Sequence, residues 1–535
     1  LAELQGDHQE KPRVKRGLFG ASAVVGSMTM VSRVLGLVRD VVLARVIGAD
    51  ALADAFFVAF KIPNFLRRLF AEGAFNQAFV PVLAEVRERG GHAAVKHLAD
   101  RVAGVLGSTL IMLTVLAVVG APVLTAIFAP GFIGDGDKFA ATSALIRVTF
   151  PYLLFISLTG FAGAILNSFD RFAIPAFTPV WLNVCLIGAA LVATPWFGEP
   201  VYALAWGVFA AGIVQLLFQM PFLAQLHLLP RPKVAWRDEG VRKILRLMAP
   251  AMFGVSVSQI NLLLDTVIAS FLPTGSVSWL YYSDRIAELP LGVFGVAAAT
   301  VILPNLSRQH ATKSPQHFAA TLDWALRFII LIAVPASLAL VILAQPILVT
   351  LFYDGSQITA RDIAMSSYSM SAYAAGVTAF MLIKVLAPGF YARQDVRTPV
   401  RIGIIAMFVN MILNIALVIP LHHYWQVGHA GLALATAIAA VLNASLLYRG
   451  LRSVGVYRPC AGWRRFFGIL LFANGVMASG LWMSVSALPD WIAQPGGARI
   501  LWLLALCVGG FLMYAGALYA AGMRMSELRN LPRAN

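Results

Sequence analysis

The sequence predicts an all-α polytopic membrane protein, with fourteen transmembrane helices arranged as two pseudo-symmetric six-helix lobes plus two C-terminal helices. Three observations lead there. Of 535 residues, 59% are apolar and only 12% charged, against roughly 45–50% and about 25% in soluble globular proteins. Apolar stretches of about 20 residues, enough to cross ~30 Å of hydrocarbon, recur along the whole chain. Lys and Arg crowd into every second connection between those stretches. A large soluble enzyme and a disordered chain are both excluded. The excess of 41 Lys+Arg over 25 Asp+Glu reads as charged loops beside a membrane rather than a nucleic-acid surface. Cys185, Cys460 and Cys507 lie far apart and offer neither a disulfide framework nor a zinc pattern.

Spans are expected near 18–47, 54–80, 99–128, 139–167, 176–194, 201–226, 243–271, 279–306, 318–351, 362–390, 402–420, 430–448, 466–487 and 500–522. The first is too long, and too broken by Arg33, Arg39, Asp40 and Arg45, to be a cleavable signal. Leu1 to Glu10, without an initiating Met, reads as an added or disordered tail. The division that follows is a tail (1–17), an N-lobe of six spans (18–226), a linker (227–242), a C-lobe of six spans (243–453), two further spans (454–522) and a second tail (523–535). With the N-terminus in the cytoplasm, cytoplasmic segments carry 26 Lys and Arg and the opposite loops 3 (Lys138, Arg361 and Arg499). That asymmetry puts both termini in the cytoplasm. Twelve cations remain inside spans or at their ends.

Those twelve carry the functional argument. Span 1 holds Arg33, Arg39 and Asp40; span 2 holds Asp54, Lys61, Arg67, Arg68 and Glu72; span 8 holds Asp284, Arg285 and Glu288. A charge at the centre of a spanning helix costs about 2.5–3.5 kcal/mol, so a cluster facing lipid would hardly insert. Asp54, Lys61, Asn64 and Arg68 follow one stripe of span 2, Pro63 and Gly73 should bend that helix, and Arg285 and Glu288 are spaced to pair. One reading is internal ion pairs between helices, with end residues reaching the interface. The other is a water-filled cavity with excess positive charge, suited to phosphate because the guanidinium fork makes two parallel charge-assisted bonds.

The halves also repeat weakly. NSFDRFAIPAFTPV (167–180) is echoed by APGFYARQDVRTPV (387–400), and Asp54–Pro81 can be laid against Trp279–Pro304. Six spans per copy makes the copies parallel, related by an axis along the membrane normal, so that spans 1, 2, 7 and 8 become equivalent. Asp265 in span 7, Asn410 and Asn414 in span 11 and Thr436 in span 12 form a candidate site for Na⁺ or a proton; interhelical hydrogen bonding is the alternative. His422, His423 and His429 are read as one solvated outer loop, and Asp135 and Asp137 as a turn. Neither a P-loop nor paired-cysteine metal motif occurs, so no resident cofactor and no ATP hydrolysis are expected.

SRVLGLVRD (32–40), DAFFVAFKIPNFLRRLFAEGAFNQAFVP (54–81), SVSWLYYSDR (276–285), VLAPGFYARQDVRTPV (385–400) and NASLLY (443–448) closely resemble the MurJ (MviN) lipid II flippases of the MATE-like exporter superfamily. The resemblance covers the chain after about Gly17. It implies a V-shaped cavity between two lobes, a groove for a polyprenyl tail along the last two helices, and residence in the bacterial inner membrane, where cell-wall synthesis or division machinery could be a partner. It implies transport roles for Arg33, Arg39, Asp54, Arg67 and Arg285, with Asn64 and Glu72 in the same motif. Some relatives bind Na⁺ on the seventh, eleventh and twelfth helices; Asp265, Asn410, Asn414 and Thr436 correspond, with Asn414 where a carboxylate is expected. The function expected is therefore flipping of lipid II by alternating access, and not enzymatic catalysis. A MATE-like drug or metabolite exporter, a flippase for another polyprenyl-linked oligosaccharide, and a membrane glycan polymerase are the alternatives; an Arg-rich cavity disfavours cationic drugs.

Overall fold

The computed structural model describes residues 13–68, 75–295, 302–303, 305–309 and 314–524. Glu72, Gly73 and most of both tails lie outside them. Among the described residues the regular structure is all helical, with no strand. The first half comprises α1 (Arg13–Ile47), α2 (Ala51–Arg67), α3 (Phe75–Val119), α4 (Ala121–Phe128), α5 (Gly136–Thr149), α6 (Tyr152–Ser168), α7 (Ala173–Gly188) and α8 (Pro200–Gln225). The second comprises α9 (Glu239–Ala269), α10 (Ser276–Pro290), α11 (Pro315–Ile342), α12 (Ala344–Phe352), α13 (Ala360–Tyr391), α14 (Arg397–Trp425) and α15 (Gly428–Ser453), followed by α16 (Trp463–Ala487) and α17 (Gly496–Ala520).

Among the described residues, ten helical segments are long and apolar enough to cross a membrane. The expected spans that do not meet that criterion are the first, second, seventh and eighth, where the buried charges concentrate. Boundaries differ from expectation where backbone chemistry intervenes. Residues 75–119 form one helical run broken at Gly91 (φ 63), so the second and third expected spans are not separated by a long loop. The fourth is divided at Pro151 into α5 and α6. The linker is shorter than 227–242, because Asp238 caps α9 by accepting from the Val241 N–H.

Helix pairs α1/α7, α2/α5, α3/α6 and α6/α8 build the first half, and α11/α13, α13/α15 and α14/α15 the second. The last two helices pack on each other and, through α16 on α11 and α17 on α12, on the second half. Tyr514 of α17 donates to the Leu331 carbonyl at 2.7 Å. At the cation-poor end, Leu43, Ile47, Phe56 and Phe57 of the first half share one core with Tyr282 and Phe352 of the second. Toward the cation-rich end there are two further cores: Phe75, Phe79, Phe161 and Leu223 of the first half with Val241 and Ile244 of α9 in one, Phe318, Leu322, Phe390 and Leu451 in the other. The halves share a core at the cation-poor end, α9 crosses to pack on α3 at the other, and room is left between them.

Candidate functional site: a charged cavity beneath a sealed seam

That room is a cavity of about 360 Å³ between the halves. Among the described residues its charged lining is Arg39, Lys61, Arg67, Arg68 and Arg285 against Asp265, Asp284 and Glu288, five cations to three carboxylates. Small-molecule sites run from about 300 to 1,000 Å³, so this state offers only a small compartment.

The α2 helix brings most of the charge inward, and its proline shapes it. Pro63 has no N–H to give the Ala59 carbonyl, and the Thr149 hydroxyl donates to that carbonyl instead at 3.2 Å. At the next residue, Asn64 Nδ2 donates to the Phe60 carbonyl at 2.9 Å, so this cavity residue also steadies its own helix. Beyond the proline, Arg67 and Arg68 reach the lining.

Arg39 is buried with its fork engaged. Nε and Nη2 donate to Asp40 Oδ1 at 2.9 and 2.6 Å, and Nη1 to Asn183 Oδ1 at 3.0 Å. Tyr281 of α10 donates to the same Asp40 oxygen at 2.9 Å, and its ring stacks on Phe57 with centroids 4.1 Å apart. This knot ties α1, α2 and α7 to α10. Arg285, one turn beyond Tyr281, contacts Asp284 at 3.1 Å and Glu288 at 3.3 Å; the expected pairing with Glu288 is present. Arg33 is not in the lining. Its guanidinium instead occupies the space that a Cβ on Gly292 would need, bridging α1 to the π-turn Leu291–Gly295 that follows Pro290.

Asp54 lies above the cavity, toward the cation-poor end, and is buried. Helix α10 begins after Gly275, which has φ 96 and no side chain to cap with. Asp54 caps it from the other half of the molecule. Its Oδ1 accepts from the Ser278 N–H at 3.0 Å and the Ser278 hydroxyl at 2.7 Å, and its Oδ2 from the Gly275 N–H at 2.8 Å. A carboxylate at a helix N-terminus meets unpaired N–H groups and the positive end of the dipole. The fourth donor is Lys138 Nζ at 2.9 Å. The seam is closed further by Tyr282 donating to the Gly48 carbonyl at 2.6 Å and by the Gly131 N–H donating to Ser270 Oγ at 3.0 Å.

Lys138 corrects the sequence reading, in which it is an outer-loop cation. It is buried in the first turn of α5, over the Phe132 ring at 4.2 Å. The histidines are corrected as well. His422 and His423 close α14, whereas His429 opens α15, is fully buried, packs on Trp279 and meets the Met365 carbonyl at 3.0 Å. Asp135 is the N-cap of α5, accepting from the Lys138 N–H at 3.1 Å, consistent with a turn.

Asp265, Asn410, Asn414 and Thr436 do come together. Asn414 Nδ2 donates to Asp265 Oδ1 at 2.8 Å and lies 3.1 Å from Asn410 Oδ1, while Thr436 Oγ1 is 3.4 Å from Asp265 Oδ2. Asn414 Oδ1 is buried with no hydrogen-bond partner, an oxygen that a cation could use. Among the described residues no group of three or more His, Cys, Asp and Glu could hold a metal. On the outer face of α16, Gly468, Gly475 and Ser479 lie between Leu471, Phe472 and Val476 in an open apolar groove.

Residues 43–494 match the family model "Lipid II flippase MurJ". The chain belongs to the MurJ family. It is 49% identical over 514 residues to "Probable lipid II flippase MurJ" of Haemophilus influenzae, covering 94% of this chain and 99% of that one. It is 43% identical to "Lipid II flippase MurJ" of Burkholderia cenocepacia, covering 96% and 99%. In three dimensions it is similar to a structure described as "Lipid II flippase MurJ, inward closed conformation", with TM-score 0.78, 25% identity and coverage of 94% and 100%. An inward-facing MATE multidrug transporter of the MOP superfamily, 15% identical, shares the fold with TM-score 0.64, covering 81% and 98%. As a MurJ-family chain with ten apolar helices, it is a multi-pass membrane protein.

Proposed function

We propose that the protein carries lipid II, a polyprenyl-diphosphate-linked glycopeptide, from the cytoplasmic to the outer leaflet of a bacterial inner membrane by alternating access. The observation that carries this reading is the cation-lined cavity beneath a seam closed by Asp54, in a chain of the MurJ family. A cavity between the halves, closed on one side by the Asp54 seam, is what one state of such a cycle requires. Helices α1, α2, α9 and α10 then join the ten apolar segments as spans, fourteen in all; their charges face protein and cavity, which is why apolarity alone misses them. The 26-to-3 distribution of cations assigns the sealed end to the outside and both termini to the cytoplasm.

The diphosphate enters from the cytoplasmic side and exchanges its oxygens for the carboxylates that now hold Arg39 and Arg285. Arg67 and Arg68 add positive charge, and Arg33 steers the π-turn behind Gly292. The whole headgroup needs more than the present 360 Å³, so loading widens the cavity. The polyprenyl tail stays in lipid, along the α16 groove. Asp265 with the Asn410, Asn414 and Thr436 oxygens takes a coupling cation, Na⁺ or a proton, whose release resets the halves. An inside-negative potential helps an anionic cargo outward by about 2.3 kcal/mol per charge per 100 mV.

The test is reconstitution into proteoliposomes with labelled lipid II, scoring headgroup sidedness with and without a potential. Arg285→Ala, correctly inserted, is expected to lower translocation at least tenfold. Full translocation by Arg285→Ala, or competition by cationic dyes but not by polyprenyl diphosphates, would overturn the assignment.

A further inference from the structure

Asp54 accepts four hydrogen bonds, and its donors differ in kind. Three come from Gly275 and Ser278, in the opposite half, and are lost when the seam parts. The fourth, Lys138, belongs to the same half as Asp54, on the neighbouring helix α5, and stays with it throughout. Lys138 does not line the cavity. Both side chains are almost wholly buried in the closed seam, at 5% and 1% exposure. A carboxylate in so dry a place needs a counter-charge far more than one in water does.

We infer that Lys138 is a positioning residue for transport: it supplies the counter-charge that lets Asp54 be buried in the closed seam and cap α10. The inference rests on the alternating-access reading above. With the seam closed, water is excluded and the ammonium is the formal counter-charge in contact with Asp54. With the seam open, water reaches the carboxylate and does much of the same work. Lys138 therefore favours the closed state over the open one without touching cargo. Its position over Phe132 fits this role, because the ring face holds the ammonium in place while Asp54 remains free to engage α10. The three donors on α10 supply direction; Lys138 supplies the charge balance that lets that direction be used in a buried place.

The experiment measures seam opening directly. Spin labels are placed on Glu199→Cys, just before α8, and Trp425→Cys, the last residue of α14, exposed positions at the cation-poor end of opposite halves, with Cys185, Cys460 and Cys507 replaced. Distances are recorded by pulsed electron resonance in nanodiscs. Lys138→Met is expected to raise the ratio of long-distance to short-distance populations at least tenfold, and Lys138→Arg less than threefold. Asp54→Asn should open the seam similarly. Adding Lys138→Met to Asp54→Asn should change the ratio less than threefold, because the charge being balanced has gone. That non-additivity is a signature a merely structural lysine would not give.

The inference is overturned if Lys138→Met leaves the distances unchanged while the protein remains folded. A shift toward the closed population, or effects of the two substitutions that simply add, would overturn it too. Should Lys138→Met not insert, the Lys138→Arg distances and the comparison of Asp54→Asn with the double variant decide the question. A parent protein showing one distance in every condition, lipid II present or absent, would sink alternating access and this inference with it. Two parent populations that Lys138→Met fails to shift would sink the inference alone.

Discussion

Asp54 and Asp323 are both nearly fully buried carboxylates, Asp54 with four hydrogen-bond donors and Asp323 with three and an ion pair. Asp54 takes one from its own half and three from α10 across the seam. Asp323, on α11 at the cation-rich end, accepts from Tyr457 Oη at 2.7 Å, Trp463 Nε1 at 2.8 Å and the Cys460 N–H at 3.1 Å, and is ion-paired with Arg327, whose Nε lies 2.9 Å away. Arg327 also donates to the Ala461 carbonyl at 2.9 Å and lies over the Trp463 ring. Apart from Arg327, on α11 itself, these partners lie in the 454–462 connection or at the start of α16. The chemistry is the same and the mechanical consequence is opposite. In the proposed alternating-access cycle Asp54 joins two bodies that separate for cargo to leave; Asp323 joins the last two helices to the half that bears them, a joint that this cycle does not require to part. A buried carboxylate is a gate or an anchor according to which bodies its donors belong to.

The largest effect that sharpens this contrast is on stability. Asp323→Ala leaves the Tyr457 hydroxyl, the Trp463 indole and the Cys460 N–H without their acceptor and Arg327 without its carboxylate. Removing one partner of a buried network costs about 3–5 kcal/mol, so a marked fall in melting temperature and rapid proteolysis within 454–462 are expected. Asp54→Asn should do the reverse. The seam can part rather than unfold, so translocation falls tenfold or more while the melting temperature moves by far less than for Asp323→Ala. If the two variants lose stability equally, the distinction between gate and anchor fails.

Which parts of this were readable from sequence follows from the range of the interactions. The charged spans were legible because an intramembrane charge is costly wherever it sits, so Arg39, Asp54 and Arg285 stand out singly. The Asp265 group was legible because Asn410 and Asn414 are one turn apart on one helix and Asp265 is isolated in an apolar one. Lys138 was not, since it follows the acidic turn at Asp135 and Asp137, and its partner is 84 residues away. Only the crossing of α2 and α5 brings them together. Asn183, which holds Arg39, was missed for the same reason: an Asn in an apolar helix has many possible partners. Arg33 was expected in the cavity, but the π-turn at Leu291–Gly295 presents a glycine that its guanidinium fills, and no periodicity announces a π-turn. The hub on Asp323 drew no notice because Tyr457, Cys460 and Trp463 lie in a connection that composition marks only as cationic.

The smallest effect concerns a third carboxylate, for which solvent replaces the protein's contribution. Asp354 lies in the connection between α12 and α13, outside the apolar segments. Its Oδ1 accepts from the N–H groups of Ser356, Gln357 and Ile358 at 3.0, 2.9 and 2.9 Å. The Gln357 carbonyl that this turn positions lies against Gly48, at the edge of the seam. Partial burial pushes the carboxyl up, but the N–H groups of Ile358 and Ser356, with the Ser356 hydroxyl, outweigh it and hold it below the ordinary carboxylate range. A carboxyl depressed on folding stabilises the fold fully above its unfolded pKa, about 3.9 for Asp, and loses that contribution as pH falls through the lower folded value. The turn should therefore be insensitive to pH between 5 and 8 and loosen only in stronger acid. Asp354→Ala removes the acceptor at every pH, but the loop is exposed and water takes over much of the bonding, so the cost is about 1 kcal/mol or less. Hydrogen exchange at residues 356–358, corrected for its intrinsic pH dependence, should quicken several-fold in this variant at pH 7, with seam opening shifted less than twofold. Unchanged exchange would mean that Asp354 does not order the turn. A shift in opening as large as that of Asp54→Asn would show that accessibility to water does not separate a gate from its rim.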